Sequence, residues 1–163
     1  MEMTVTSHRG LNTSQLIKSA IRKGIGALEQ YATPLLDLGI RLWVAQVFFM
    51  SGLTKIQSWD TTLSLFENEY QVPLLPPEVA AYAGTFTELF FPVLLVLGIG
   101  TRFAAGVLFV FNIIAVVSYP DLGEVGLKDH HYWGLLLLIT LIHGPGKISV
   151  DHFIRRRFFA AGR

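Results

Sequence analysis

Two side chains of opposite charge, Arg41 and Glu88, stand inside otherwise apolar stretches of this sequence. An ionisable group facing lipid costs on the order of 3 kcal/mol at mid-depth, so each must turn away from the acyl chains and find a partner. Gln46, Asn112, Thr85, Thr87 and Thr140 add uncharged polar groups to the same stretches. With a rise of about 1.5 Å per helical residue, Gln46, Glu88, Asn112 and Thr140 fall in the middle third of their segments, and Arg41 lies nearer one end. The pattern predicts an interior Arg41–Glu88 pair, or a water-bridged network, bordered by Gln46 and Asn112. Pro92 adds to it, because a proline removes the hydrogen bond to the carbonyl four residues earlier, that of Glu88 itself. Irregular backbone at depth is tolerated where it faces protein or a hydrated cavity. Such a pocket is able to hold a proton, a cation or the carbonyl edge of a small molecule. A purely structural reading stands beside this one. In it Arg41 snorkels to the interface, and a neutral Glu88 hydrogen-bonds Gln46 or Asn112 as glue between helices.

Other chemistries find less to work with. Cysteine is absent, which removes disulfides, dithiol redox motifs and cysteine-ligated clusters built by this chain alone. There is no serine elbow and no phosphate-cradling glycine loop; Gly98-Ile99-Gly100 reads as a turn between two helices. An intramembrane haem needs imidazoles facing each other from different helices, whereas His130, His131 and His143 all belong to one stretch. Asp129, His130 and His131, with Asp121 and Glu124 nearby, are weak candidates for a metal site. Adjacent histidines point about 100° apart on a helix, so solvation at the interface is the expectation and a metal centre is not. A formal net charge of +1 leaves no basic footprint for nucleic acid.

The elements that must carry these residues follow from composition. Of 163 residues, 52% are hydrophobic and 15% charged, against about 25% charged in a soluble domain; the mean hydropathy is +0.48. These values exclude intrinsic disorder and point to lipid as the solvent. A membrane helix needs about 20 mostly apolar residues, and four candidate spans run from about 35 to 54, 78 to 99, 102 to 119 and 131 to 145. The last is the shortest and relies on flanking aromatics to reach both interfaces. The fold class is therefore all-α, a four-helix transmembrane bundle. Trp43, Tyr119, Tyr132 and Trp133 suit aromatic belts at the membrane surfaces.

Lysine and arginine set the orientation. Arg9, Lys18, Arg22 and Lys23 precede the first span, Arg102 lies in the turn after the second, and Lys147, Arg155, Arg156, Arg157 and Arg163 follow the fourth. The other two loops hold only Lys55 and Lys128. This places both termini in the cytoplasm. No cleavable signal peptide is expected, since nothing apolar and unbroken precedes Leu35. From Asn12 to Tyr31 an amphipathic interfacial helix is expected, with Leu16, Ile17, Ala20, Ile21, Ile25 and Leu28 on one stripe and Lys18, Arg22 and Lys23 on another. Gly24 and Gly26 leave a loosely ordered segment as the alternative. In the first outer loop, Trp59, Leu63, Phe66 and Tyr70 recur at helical spacing after Ser58 and Asp60, which predicts a short helix resting on the outer membrane face. The organisation is a cytoplasmic amphipathic segment over 1–34, a four-span membrane domain over 35–146 and a basic cytoplasmic tail over 147–163.

Arg41 followed by Phe48-Phe49-Met50-Ser51-Gly52-Leu53-Thr54-Lys55-Ile56 resembles the opening signature of the DoxX family of small membrane proteins. The likeness continues through Glu88-Leu89-Phe90-Phe91-Pro92-Val93-Leu94-Leu95-Val96-Leu97-Gly98 and Thr101-Arg102-Phe103-Ala104-Ala105. It closes with His131-Tyr132-Trp133-Gly134 and Gly144-Pro145-Gly146-Lys147-Ile148-Ser149-Val150-Asp151. The resemblance implies a four-helix inner-membrane bundle, with Arg41, Lys55, Glu88 and Arg102 at recurring charged positions. It also implies redox company, since DoxX-like and DoxD-like subunits are associated with thiosulfate:quinone oxidoreductase and with thiol and oxidative-stress complexes. The expected function is thus a non-catalytic accessory subunit of a quinone- or thiol-linked membrane assembly, with a pocket of Arg41, Gln46, Glu88 and Asn112 able to take a quinone headgroup. Two other classes stay open: a small proton-coupled or metal/solute transporter using Glu88, helped by homo-oligomerisation, and a membrane anchor that recruits a soluble protein partner.

Overall fold

A computed structural model describes residues 13–159 of the chain. Asn12, where the amphipathic segment was expected to begin, and the charges of Arg9 and Arg163 lie outside the described residues. Every element among the described residues is helical. The chain divides into two compact units, one ending at Thr33 and the other beginning at Pro34. The first unit holds helix α1, Thr13–Ala27, followed by a wider π-helical turn at Leu28–Ala32. Gly24 and Gly26 do not interrupt α1, and none of its residues is buried. Leu16, Ile17, Ile21 and Ile25 remain more than half exposed, so the helix presents an open apolar stripe beside its cations.

The second unit contains α2 (Thr33–Gln57) from Pro34 onward, α3 (Trp59–Asn68), α4 (Pro77–Leu97), α5 (Thr101–Ser118), α6 (Gly123–His143) and the short α7 (Val150–Ile154). α5 packs most extensively on α6, then on α4, and α3 packs along α4. Val44, Ala45 and Phe48 of α2, Leu95 of α4, Ala104, Ala105 and Leu108 of α5 and Leu137 of α6 form one buried core. Small residues at Ala104 and Ala105, both fully buried, let neighbouring helix backbones approach, which is how helices associate where lipid offers no hydrophobic drive.

Among the described residues three helices are long and apolar enough to cross a membrane: the helical run that ends at Gln57, α4, and α5. The fourth expected span lies within α6, which is 21 residues long and so extends about 31 Å. Its first two turns carry Glu124, Lys128, Asp129 and His130; length comes from a polar beginning, and only the half from His131 onward is lipid-like.

Helix ends follow local rules. Pro77 occupies the first turn of α4, where its missing N–H removes no bond. The other end of α4 closes on Gly98 at φ 70°, with Ile99 N–H donating to the Leu94 carbonyl at 3.0 Å and Gly98 N–H to that of Leu95 at 3.2 Å. This left-handed closure suits glycine. α3 forms in the first outer loop, as the spacing of its apolar residues predicts. Phe66 packs on Ala80 and Ala81, and Trp59 lies tilted against Tyr82 with ring centroids 4.6 Å apart. The helix packs beside the first two turns of α4, where its aromatic stripe covers small residues. Two of the expected belt aromatics also turn inward: Trp133 packs edge-on against Phe48 at 6.1 Å, and Tyr119 against Tyr70 at 5.1 Å. Trp43 and Tyr132 stay exposed.

Candidate functional site

The polar residues of the second unit gather at three places. At the end carrying the α4–α5 turn, Arg41 is 1% exposed. Its Nη1 donates to the Leu95 carbonyl at 3.0 Å and its Nη2 to the carbonyl of Ile148. A guanidinium on the Leu95 carbonyl sits at the negative end of the α4 dipole. Asp151 does the converse for α5. Its Oδ1 accepts from Gly100 N–H at 2.9 Å, and its Oδ2 accepts from Thr101 N–H at 2.9 Å and Thr101 Oγ1 at 3.0 Å. Burial opposes ionisation of Asp151, but these three donors and the nearby Arg41 outweigh it and hold the carboxyl below its ordinary range. Asp151 N–H also donates to the Gly98 carbonyl at 2.9 Å. An added Cβ at Gly98 would stand 2.5 Å from Ser149 Cβ and 2.6 Å from Arg41 Nη1, so this turn needs glycine for space as well as for φ. Arg102 Nη2 completes the arrangement by donating to the Ile142 carbonyl at 3.2 Å, at the end of α6.

Mid-way along α4 lies a second cluster. Lys55 Nζ donates to Glu88 Oε2 at 2.7 Å, to Oε1 at 2.9 Å and to Ser51 Oγ at 3.0 Å; Ser51 Oγ donates to Glu88 Oε1 at 3.1 Å. Ser51 and Lys55 are four residues apart on α2 and so share a face. Gly52 lets α4 approach at this level, since a Cβ there would meet Leu89 Cδ2 at 2.9 Å and Glu88 Cβ at 3.0 Å. The Glu88 side chain is 7% exposed and that of Lys55 18%. A buried carboxylate needs such a set of donors.

The third cluster joins α5 to α6. Asn112, buried on α5, donates from Nδ2 to the His130 carbonyl at 2.9 Å, and its Oδ1 lies 2.8 Å from His130 Nδ1. His131 Nδ1 instead contacts the Leu127 carbonyl at 2.7 Å. Among the described residues no group of three or more His, Asp or Glu side chains is gathered as metal ligands would be; Asp129, His130 and His131 do not converge.

The second and third clusters border one cavity of about 1040 Å³. Ser51, Lys55 and Glu88 line it from one side, Ser118 and His130 from another, and Phe48, Phe111 and Val110 give it an apolar wall. Ser118 Oγ is buried without a hydrogen-bond partner among the described residues. Tyr70, in the loop after α3, also lines the cavity. Its burial, followed by the proximity of Tyr119, Glu69 and Glu88, pushes its phenol above the ordinary value, so the hydroxyl stays protonated and able to donate. A mostly apolar concavity with a few convergent polar groups is the usual form of a small-molecule site.

The four residues expected to share a pocket are thus distributed. The Arg41–Glu88 pair is not formed: Arg41 meets α4 at Leu95, seven residues and about 10 Å along the helix from Glu88, where the carbonyls at the end of α4 compete successfully for it. Gln46 is exposed, because Arg41, Val44, Ala45 and Phe48 define the inward face of α2 and Gln46 falls on the other. Asn112 is buried but engaged by His130. Glu88 alone of the four lines the cavity. Lys55, Ser51, Tyr70 and His130 are its unforeseen members. The Ser51-x-x-x-Lys55 spacing was the available signal, a cation one helical turn from a hydroxyl at the end of an apolar run.

A family model described as DoxX matches residues 36–120 of the chain. A Haemophilus influenzae protein described as an uncharacterized protein is 32% identical over 126 residues, covering 72% of this chain and 82% of the relative. No solved structure matches the chain.

Proposed function

This chain belongs to the DoxX family, and from that premise we propose that it is an accessory subunit of a membrane redox assembly that holds the ring of a lipid-soluble quinone in the cavity beside Lys55 and Glu88. The observation that carries this reading is the buried Lys55–Glu88–Ser51 cluster opening onto an apolar cavity of about 1040 Å³. A quinone matches that contrast: its ring and isoprenoid tail suit the phenylalanine wall, and its carbonyl is an acceptor for the Lys55 N–H that otherwise goes to Ser51 Oγ. The protonated hydroxyl of Tyr70 offers a further donor. The protein's own residues bind and orient; electrons pass between the quinone and a partner, which also supplies any thiol chemistry, since this chain has no cysteine.

The setting is the inner membrane of a bacterium with both termini in the cytoplasm, a reading supported by the concentration of Lys and Arg in the sequence before the first span, between the second and third, and after the fourth. A transporter working through Glu88 has less support, because that carboxylate is committed to Lys55 and Ser51.

Titration of decylubiquinone into the detergent-solubilised protein, followed by quenching of tryptophan fluorescence, tests the proposal. Trp133 lines the cavity, so saturable quenching is expected, and Lys55→Met should weaken it by about 10–100-fold for loss of a charged donor. Non-saturable quenching that is identical in the variant would refute it.

A further inference from the structure

The cavity has a second polar side, and its hydrogen-bonding sense is fixed. Asn112 Nδ2 lies 2.9 Å from the His130 carbonyl, an acceptor only, so the amide must present its NH2 there. Its Oδ1 is then the atom 2.8 Å from His130 Nδ1, and two acceptors cannot face each other at that distance. Nδ1 therefore carries the proton, and in the neutral imidazole Nε2 is left as a lone-pair acceptor. No described residue hydrogen-bonds Nε2, while His130 lines the cavity and is held in place by edge-on packing against Trp133 at 4.8 Å. Glu88, bonded to Lys55 and Ser51, lines the same cavity.

We infer that this site selects the reduced form of its ligand, a hydroquinone whose hydroxyl donates to His130 Nε2, over the oxidised quinone. The inference rests on the quinone reading above and deepens it. A quinone oxygen placed at Nε2 sets lone pair against lone pair and leaves a desolvated acceptor unpaired. A hydroquinone oxygen there makes a bond. Asn112 is the positioning residue: it acts only through the tautomer of His130. Ser118 Oγ, buried and unpartnered on the same lining, supplies a hydroxyl that is free to donate to the ring oxygen, which a hydroquinone also accepts.

The test compares decylubiquinol and decylubiquinone, identical in ring and tail, for binding to the full-length detergent-solubilised protein under anaerobic conditions at pH 8, where an ordinary imidazole is neutral. The wild-type protein should bind the quinol about 5–10-fold more tightly, the worth of one neutral hydrogen bond, and His130→Phe should abolish that ratio. Equal binding of the two forms, or tighter binding of the quinone, would overturn the inference and leave the quinone reading standing. Failure of both forms to bind would overturn the quinone reading itself. A quinol preference that persists in His130→Phe would remove His130 from the role. The wild-type ratio decides the matter even if the variant does not fold.

Discussion

Lys55 and Glu88 exchange two short contacts in a setting that excludes most water, so each depends on the other more than on the fold at large. Removing one partner strands a buried charge, at about 3–5 kcal/mol, whereas removing both leaves nothing to strand. Lys55→Met should therefore lower the thermal unfolding midpoint in detergent substantially, and Lys55→Met combined with Glu88→Gln should recover much of the loss. A double variant no more stable than Lys55→Met alone would show that the pair is not coupled. Arg41 and Glu88 give the opposite expectation. They occupy separate clusters, so a double-mutant cycle between them should return a coupling below about 0.5 kcal/mol, and swapping their charges should not rescue either single substitution. Sequence pattern alone identified Glu88 and Arg41 as inward-facing, because unpartnered charges do not survive in lipid. It did not identify the partners, because a lysine arm and a set of terminal carbonyls reach across helices in ways that linear depth does not encode.

The helices are legible from their apolar runs, and their ends from Pro77 and Gly98; what joins them is less so. Residues from Ile148 to Asp151 read as the start of a basic tail, yet they dock on the α4–α5 turn. The cue lay in pairing a cation with a helix C-terminus and an anion with a helix N-terminus, a complementarity of ends that appears only after folding. Asp151 gives this clamp a pH dependence. Its folded pKa is depressed, so the stability it contributes is fully present above the ordinary carboxylate pKa and is lost as pH falls through the lower, folded value. The midpoint of unfolding should therefore drop more steeply below about pH 4 in the wild type than in Asp151→Asn, which should already be less stable at neutral pH. Parallel profiles for the two proteins would contradict the assignment. α3 belongs to the same scale: its aromatic stripe was visible, but its place beside Ala80 and Ala81 depended on where small residues left room on α4.

As a whole the second unit reverses the usual distribution of a soluble protein. Phe86, Phe103, Val117 and Ile142 are more than half exposed, while Arg41, Glu88, Thr101 and Asn112 are buried, as expected where lipid takes the place of water. Composition foretold that reversal. The cavity was not foretold as it stands, since it depends on α3 and α6 bringing Tyr70 and His130 to a space that Glu88 shares. The absence of cysteine makes topology simple to test: in intact cells an impermeant maleimide should label Glu124→Cys and spare Lys147→Cys until the membrane is opened, and the reverse pattern would invert the orientation. The site itself is tested most directly by photolabelling. A photoreactive quinone, irradiated with the purified protein and mapped by peptide mass spectrometry, should form adducts on cavity residues such as Val110, Ser118 and Tyr119 that excess decylubiquinone suppresses. Adducts scattered over lipid-facing positions such as Phe86 and Ile142, unaffected by competitor, would show that no quinone site exists beside Lys55 and Glu88.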